Sequence, residues 1–256
     1  MIKIKSPSDI KIMIKGGQIA NFTIKELAKN IKPGITTLEL DAIANRIIKA
    51  RGASPSFLNY QGFPGSICVS INDEIVHGIP SSKKIKTGDM VKIDLGVFYE
   101  GFHTDMARTY AVGDISEEKK EMIKTCQKAL DAAINLVMPG NTIGDIEYET
   151  GKVLKKGGLS PLMSLTGHGI GRNIHEEPSI FCDGTRGTGE KILPGMVIAI
   201  EPMATTGSGK VKKGPDGWTI VSADKTVGVH FEDTVAVTNK GHKVLTRAGK
   251  ADNIFL

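Results

Sequence analysis

The sequence has little that would tie it to a membrane, an oxidising compartment or a nucleotide. No apolar run approaches the ~20 residues a bilayer span needs. The apolar fraction, 40%, is enough for a buried core. The opening stretch Met1-Ile-Lys-Ile-Lys-Ser-Pro-Ser-Asp9 has no apolar segment of signal-peptide length, so a cytoplasmic location is expected. Cysteine is scarce: Cys68, Cys126 and Cys182 are odd in number and lack CxxC spacing. That fits a reducing compartment and argues against a structural zinc site. HExxH is absent, which removes the helical zinc-protease signature. Thr166-Gly-His-Gly-Ile-Gly171 has a glycine-rich look but not the GxGxxG spacing of a dinucleotide loop. Gly209-Lys210 lacks the first Walker glycine and the Ser/Thr after the lysine. No RNP-type aromatic motif and no helix-turn-helix signal occurs, so no specific nucleic acid is expected. The net charge of +5 is spread over dispersed lysines. It is compatible with transient contact with an anionic surface such as a ribosome, and equally with a basic soluble protein.

What is present is an internal echo. The 256 residues allow one large domain or two small ones. Residues 33–55 read PGITTLELDAIANRIIKARGASP, and residues 139–161 read PGNTIGDIEYETGKVLKKGGLSP. At a constant offset of 106 the pairs include Pro33/Pro139, Gly34/Gly140, Thr36/Thr142, Gly52/Gly158 and Pro55/Pro161. Both segments predict a turn, a Thr N-cap, an amphipathic helix and a glycine-rich stop. Thr36 with Glu39 makes a capping box. Helices are also predicted from Pro7 to about Asn30 and from Ser116 to about Met138. Strand-like runs cover 67–71, 90–98, 102–112, 196–203, 218–222, 228–237 and 243–246. No low-complexity linker separates the halves. The expectation is a single domain over 1–256, duplicated over approximately 7–112 and 116–246. It belongs to the α+β class, with helices on one side of a curved, mainly antiparallel sheet.

The echo extends to residues that carry chemistry. Gly88-Asp-Met-Val-Lys-Ile-Asp94 matches Gly195-Met-Val-Ile-Ala-Ile-Glu201 in kind: a turn glycine, an extended run, a carboxylate. His103-Thr-Asp105 likewise matches His230-Phe-Glu232. With His168 these make five candidate ligands, Asp94, Asp105, His168, Glu201 and Glu232. Four carboxylates and an imidazole suit two divalent ions sharing bridging carboxylates and activating a water for hydrolysis. Asp94 and Asp105 flank a predicted hairpin that turns at 99–101 and sets them close to opposite one another. Like charges at that range repel, and a cation removes the penalty. A one-residue slip would instead place them on opposite faces as surface aspartates, and that alternative stays open. His77, in Val-His-Gly-Ile-Pro80, and His175, in Asn-Ile-His-Glu-Glu-Pro178, are candidates for acid–base or oxyanion work, or are surface histidines. His103 and His230 are candidates to orient the carboxylate beside them.

The motifs together resemble the type I methionine aminopeptidases of the short bacterial kind. The resemblance runs through Phe57-Leu-Asn-Tyr60-Gln-Gly-Phe63-Pro-Gly-Ser-Ile-Cys68 and Asn72-Asp-Glu-Ile-Val-His77-Gly-Ile-Pro80. It continues in Val91-Lys-Ile-Asp94, Gly101-Phe-His-Thr-Asp105, Gly167-His168-Gly-Ile-Gly-Arg172 and His175-Glu-Glu-Pro178. Ile200-Glu201-Pro-Met203, Asp216-Gly-Trp218-Thr219 and Phe231-Glu232 complete it. It implies a pseudo-twofold "pita-bread" fold and removal of an initiator methionine, with a small second residue preferred. It also implies a pair of divalent ions, any of Mn, Fe, Co or Zn. Asp94 would bind one ion and His168 the other, Asp105 and Glu232 would bridge them, and Glu201 would bind on the His168 side and help activate water. His77 would act near the scissile nitrogen and His175 near the carbonyl oxygen. Tyr60, Phe63, Cys68 and Trp218 would border the methionine pocket. The partner would be a peptide or nascent-chain N-terminus, and the protein a monomer. Phe57, Asn59, Gln61, Ile174 and Asp233 depart from the family pattern. The long helical insertion of type II enzymes is absent, since only 30 residues separate Glu201 from Glu232. Two rivals share parts of this pattern: a proline-directed peptidase of the same fold, and a catalytically inactive binding protein.

Overall fold

Each long helix begins where a short polar side chain closes the first turn. Ser6 Oγ accepts the Asp9 amide at 3.2 Å, and the Ser6 amide donates to the Asp9 carboxylate at 2.9 Å, opening α1 (Pro7–Asn30). Thr36 and Glu39 do the same at 3.2 and 2.8 Å for α2 (Thr37–Ala50), which is the predicted capping box. Ser116 Oγ accepts the Lys119 amide at 3.3 Å ahead of α3 (Glu117–Asn135), and the Thr142 amide donates to Asp145 at 2.8 Å ahead of α4 (Ile143–Lys156). Such a cap is worth ~0.5–2 kcal/mol. α3 stops at Asn135, short of the expected Met138, because the chain tightens before Pro139: the Leu136 and Val137 amides donate to Ala133 and Ile134, three residues back.

The computed structural model describes residues 2–247; residue 1 and residues 248–256 of the expected 1–256 domain lie outside the described residues. After α2 come β1 (Ser54–Pro55), β2 (Cys68–Ile71), β3 (Glu74–Val76), β4 (Met90–Tyr99) and β5 (Phe102–Ala111). After α4 come β6 (Ser160–Pro161), β7 (Thr166–Gly169), β8 (Glu176–Phe181), β9 (Val197–Ile200) and β10 (Met203–Thr205). The last are β11 (Val211–Lys213), β12 (Ile220–Ser222), β13 (Gly228–His230), β14 (Glu232–Thr238) and β15 (Gly241–Val244). The main sheet runs β1-β4-β5-β14-β9-β7-β8, with β2 on β4 and β15 on β14, and each of these pairings is antiparallel. The two echoing halves of the sequence therefore meet where β5 pairs with β14.

Alternation along β4 explains both faces of this sheet. Val91, Ile93, Leu95 and Val97 pack under Ala20, Ile24 and Leu27 of α1 and Leu40, Ala44 and Ile48 of α2. Lys92, Asp94 and Gly96 therefore face the other way, toward the site. In the second half, Cys126, Leu130 and Ala133 of α3 and Ile146 and Leu154 of α4 pack with Ile198, Ile200 and Val235. Fully burying one such side chain stabilises by ~1.5–3 kcal/mol. The helices thus cover one face of the sheet, and the polar residues of the opposite face are left to form a cleft.

Two predicted strands turn out to be forks. The run 196–203 divides at Glu201-Pro202 into β9 and β10, and the run 228–237 divides at Phe231 into β13 and β14. Pro202 has no amide to give a ladder, and its carbonyl accepts the Phe231 amide at 3.3 Å across the gap. β9 and β14 stay in the main sheet, whereas β10 and β13 pair with each other in a small sheet with β6.

Candidate metal centre and active site

The carboxylates sit where the backbone holds them most firmly. β4 and β5 pair from Met90↔Ala111 to Tyr99↔Phe102. The hairpin closes on Glu100 and Gly101, both at positive φ (46° and 87°), so the turn is one residue tighter than predicted. Asp94 stands opposite Ala107, and Asp105 opposite Gly96. The two aspartates are therefore diagonal neighbours on one face, rather than directly opposed or on opposite faces. Thr234 Oγ1 pins Asp105 from β14, accepting its amide and donating to its carbonyl, both at 2.8 Å. Glu201 and Glu232 project from the two forks, each at the point where its strand leaves one sheet for the other.

His168 enters from β7, paired with Ala199 of β9. Its Nδ1 donates to the Gly169 carbonyl at 2.9 Å, so Nε2 carries the lone pair and faces Glu201 Oε1 at 3.7 Å. A side chain at Gly167 would put its Cβ 2.5 Å from the Ala199 carbonyl oxygen, so only glycine lets β7 approach β9 this closely. Ligand atoms of Asp105, His168 and Glu232 all lie within 4.8 Å of one another, and those of Glu201, His230 and Glu232 do so as well.

Burial makes this set expensive as it stands. Burial, with Asp105 and Glu201 beside it, raises Asp94 well above the usual carboxylate range. Burial pushes Asp105 up to about 7. Glu201 is raised by burial and then by Asp105, and Glu232 by burial and then by Asp105, Glu201 and Asp94. Asp94 Oδ1, Asp105 Oδ1 and Glu232 Oε1 have no hydrogen-bond partner. Burial, with His175 beside it, pushes His168 down to about 3, leaving a neutral imidazole at neutral pH. Buried carboxylates with an oxygen each that lacks a donor, next to a neutral imidazole with a free lone pair, fit a divalent cation.

The remaining predicted residues form the opposite wall. A cavity of about 140 Å³ is lined by Tyr60, Phe63, Cys68, His77, His175 and Trp218 together with all five candidate ligands. The expected ligands, His77, His175 and the expected pocket residues thus share one cavity, whereas His103 and His230 are not among its lining residues. Phe63 and Trp218 meet edge to face with centroids 5.3 Å apart. Tyr60 Oη lies 3.0 Å from His175 Nδ1, and the His175 ring meets His168 edge-on at 4.5 Å. Burial lowers both His175 and His77, the latter also through His175. His77 holds a positive φ of 58° at the end of β3, a strained conformation that aims it into the cleft.

Some functional neighbours were less legible. Phe57 and Gln61 line the same cavity, and Ile174 is buried against Phe57, Phe63 and Cys68. His103, expected to orient Asp105, instead places Nδ1 2.9 Å from Ser56 Oγ. His242 lies away from the cleft, with Nδ1 on the Val137 carbonyl at 3.1 Å. His230 puts Nε2 3.3 Å from Glu201 Oε2, so it faces a carboxylate contributed by another strand rather than the neighbouring Glu232 alone. The fork at Phe231, unmarked in the strand-like run 228–237, makes that reach.

Comparison with known proteins agrees with this geometry. Residues 11–239 match the model of metallopeptidase family M24, and the chain belongs to that family. Within it, methionine aminopeptidases match over nearly the full length. The chain is 44% identical to methionine aminopeptidase 1 of Bacillus subtilis over 247 residues, covering 96% of this chain and 100% of that protein. It is 43% identical to the methionine aminopeptidase of Clostridium perfringens over 246 residues, covering 96% and 99%. The crystal structure of methionine aminopeptidase from Rickettsia prowazekii superposes with a TM-score of 0.95 at 38% identity, covering 96% of this chain and all of that one. A prolidase from Pyrococcus furiosus shares the fold at TM-score 0.79 and 28% identity, but this chain spans only 66% of it. The fold is the α+β pita-bread fold expected from the sequence.

Proposed function

We propose that this protein removes the N-terminal methionine from polypeptides, with a pair of divalent ions held by Asp94, Asp105, His168, Glu201 and Glu232. The observation that carries the reading is the two-walled cavity, with unpaired buried carboxylates on one side and an apolar, sulfur- and aromatic-lined pocket on the other. Divalent ions bound there supply a polarised carbonyl and a water activated near neutral pH. Asp105 and Glu232, one from each half, would hold the ions together with Asp94 and His168. Glu201 accepts the proton of the attacking water. Tyr60 donates to His175 Nδ1, which leaves the His175 Nε2–H to meet the developing oxyanion. His77 stands at the scissile nitrogen. Phe63, Cys68 and Trp218 take the thioether side chain.

Full-length likeness to methionine aminopeptidases, against partial overlap with prolidases, favours methionine over an X-Pro substrate. Retention of the whole ligand set disfavours an inactive binding protein. We place the activity in the cytoplasm, on nascent chains, as a monomer. Among the described residues no helix is long and apolar enough to cross a membrane, and all three cysteines are free and buried. Hydrolysis of Met-Ala-Ser, Met-Leu-Ser and Ala-Pro peptides tests the specificity. The expected order is rapid release from Met-Ala-Ser, little from Met-Leu-Ser and none from Ala-Pro. Preferential cleavage of Ala-Pro would move the protein to the proline-directed class.

A further inference from the structure

His230 is the most deeply buried imidazole of the cleft and the least explained by the ligand set above. It is 1% exposed, and neither Nδ1 nor Nε2 has a hydrogen-bond partner. Leaving a buried polar group unpaired costs ~1–3 kcal/mol. The backbone at this position is held on both sides, because the His230 amide donates to Thr109 Oγ1 at 3.0 Å and Thr109 Oγ1 donates to the His230 carbonyl at 2.7 Å. A side chain anchored so firmly, and so poorly satisfied, is positioned for a group that completes it.

The Glu201 carboxylate lies between two imidazoles. His168 Nε2 is 3.7 Å from Oε1, and His230 Nε2 is 3.3 Å from Oε2. Atoms bound at about 2.1 Å to one four-coordinate ion stand roughly 3–3.5 Å apart. The Glu201–His230 separation falls in that range, and Glu232 completes the triplet within 4.8 Å. Nε2 is the ring nitrogen that faces Glu201, so it is the atom placed to meet an ion held there.

Resting on the metallopeptidase reading, we propose that His230 is an additional metal ligand, binding through Nε2 the divalent ion that Glu201 and Glu232 hold. The ring proton then resides on Nδ1. The donor set becomes four carboxylates and two imidazoles, which moves its preference toward the metals that imidazole suits, such as Fe, Co and Zn, and away from Mn. A purely orienting role, with Nε2–H donating to Glu201, is the competing arrangement.

Proton NMR of the Co(II)-loaded protein separates the two. Each imidazole on Co(II) gives an exchangeable N–H signal shifted far outside the diamagnetic range. The proposal predicts two such signals in the wild type, from His168 and His230, and one in His230→Gln. The wild-type count needs no variant and stands even if His230→Gln fails to fold. In a folded His230→Gln protein the fold-loss of Co(II) affinity should exceed the fold-loss of Mn(II) affinity, because imidazole suits the later metal better. A single shifted signal in the wild type, retained in His230→Gln, would overturn the proposal and leave the metallopeptidase reading intact. Absence of any shifted signal at saturating Co(II) would overturn both.

Discussion

At the scale of the residue, the site is a set of groups whose protonation opposes its own charge. Asp94, Asp105, Glu201 and Glu232 are all raised in the fold, with Asp105 at about 7. A carboxyl raised on folding contributes stability that is full below its unfolded value and is lost as pH rises through the folded value. Histidines lowered on folding act in the opposite direction, but only below about 6.5, their unfolded value. Lys92, which burial lowers to about 7, also acts in the opposite direction, but from about pH 6.5 to about pH 8 the four raised carboxyls outnumber it. Metal-free protein is expected to melt at progressively lower temperature across that interval. Added Mn(II) should raise the melting temperature more at pH 8 than at pH 6, because protons compete for the ligands. Differential scanning calorimetry at both pH values checks this. A metal-induced gain that is larger at pH 6 would contradict the assigned protonation.

The candidate ligand types were legible in the sequence because the two echoing segments repeat them. Asp94 and Glu201 end matching runs, and Asp105 and Glu232 follow matching His-x pairs. Their relative placement was not, because register is a property of two strands at once. A hairpin closed on Glu100-Gly101 rather than on 99–101 shifts the pair from opposed to diagonal while keeping both on one face. His230 escaped for a related reason: its reach to Glu201 depends on a fork that composition does not mark.

At the scale of the element, the forks and the helix ends carry the design. Pro202 punctuates the first fork and could have been read as a break. Phe231 breaks the second inside a run of β-prone residues, and only the pairing of β13 with β10 reveals it. Short strands such as β3, β8 and β11 gave weak periodic signals, whereas the capped helices announced themselves by Ser6, Thr36 and Ser116. The strand carrying Glu232 is further held by Asp233, which stands where the resemblance has histidine. Its buried carboxylate accepts from Arg108 at 2.8 Å, Thr246 at 2.7 Å and Arg247 at 2.6 Å. Arg108 also donates to the Glu232 carbonyl at 2.5 Å. Here aspartate is an ionic staple joining β5, β14 and the segment after β15. Asp233→Asn leaves Arg108 without its counter-charge and Arg247 with Asp131 alone, at 2.7 Å, and should cost ~1.5–3 kcal/mol. Urea denaturation measures it, and a loss under ~1 kcal/mol would show that the staple is not stabilising.

At the scale of the whole molecule, the junction of the two echoing halves brings the candidate ligands together. Each half contributes two carboxylates on the inner face of its own strands, and the halves join along β5 and β14, so neither half alone assembles the set. The helices take the apolar face of the sheet, and the cleft takes what remains. The Phe63–Trp218 wall then supplies a pocket beside the ligands. The central claim is that this junction is a metal-dependent methionine-releasing site. It is tested most directly by free methionine released from Met-Ala-Ser, using metal-stripped protein with and without Mn, Co or Fe, beside Asp105→Ala. The account predicts no release without metal, release on adding metal, and loss of nearly all restored activity in Asp105→Ala while the fold is retained. Release from the stripped wild type, or full restoration in Asp105→Ala, would contradict it.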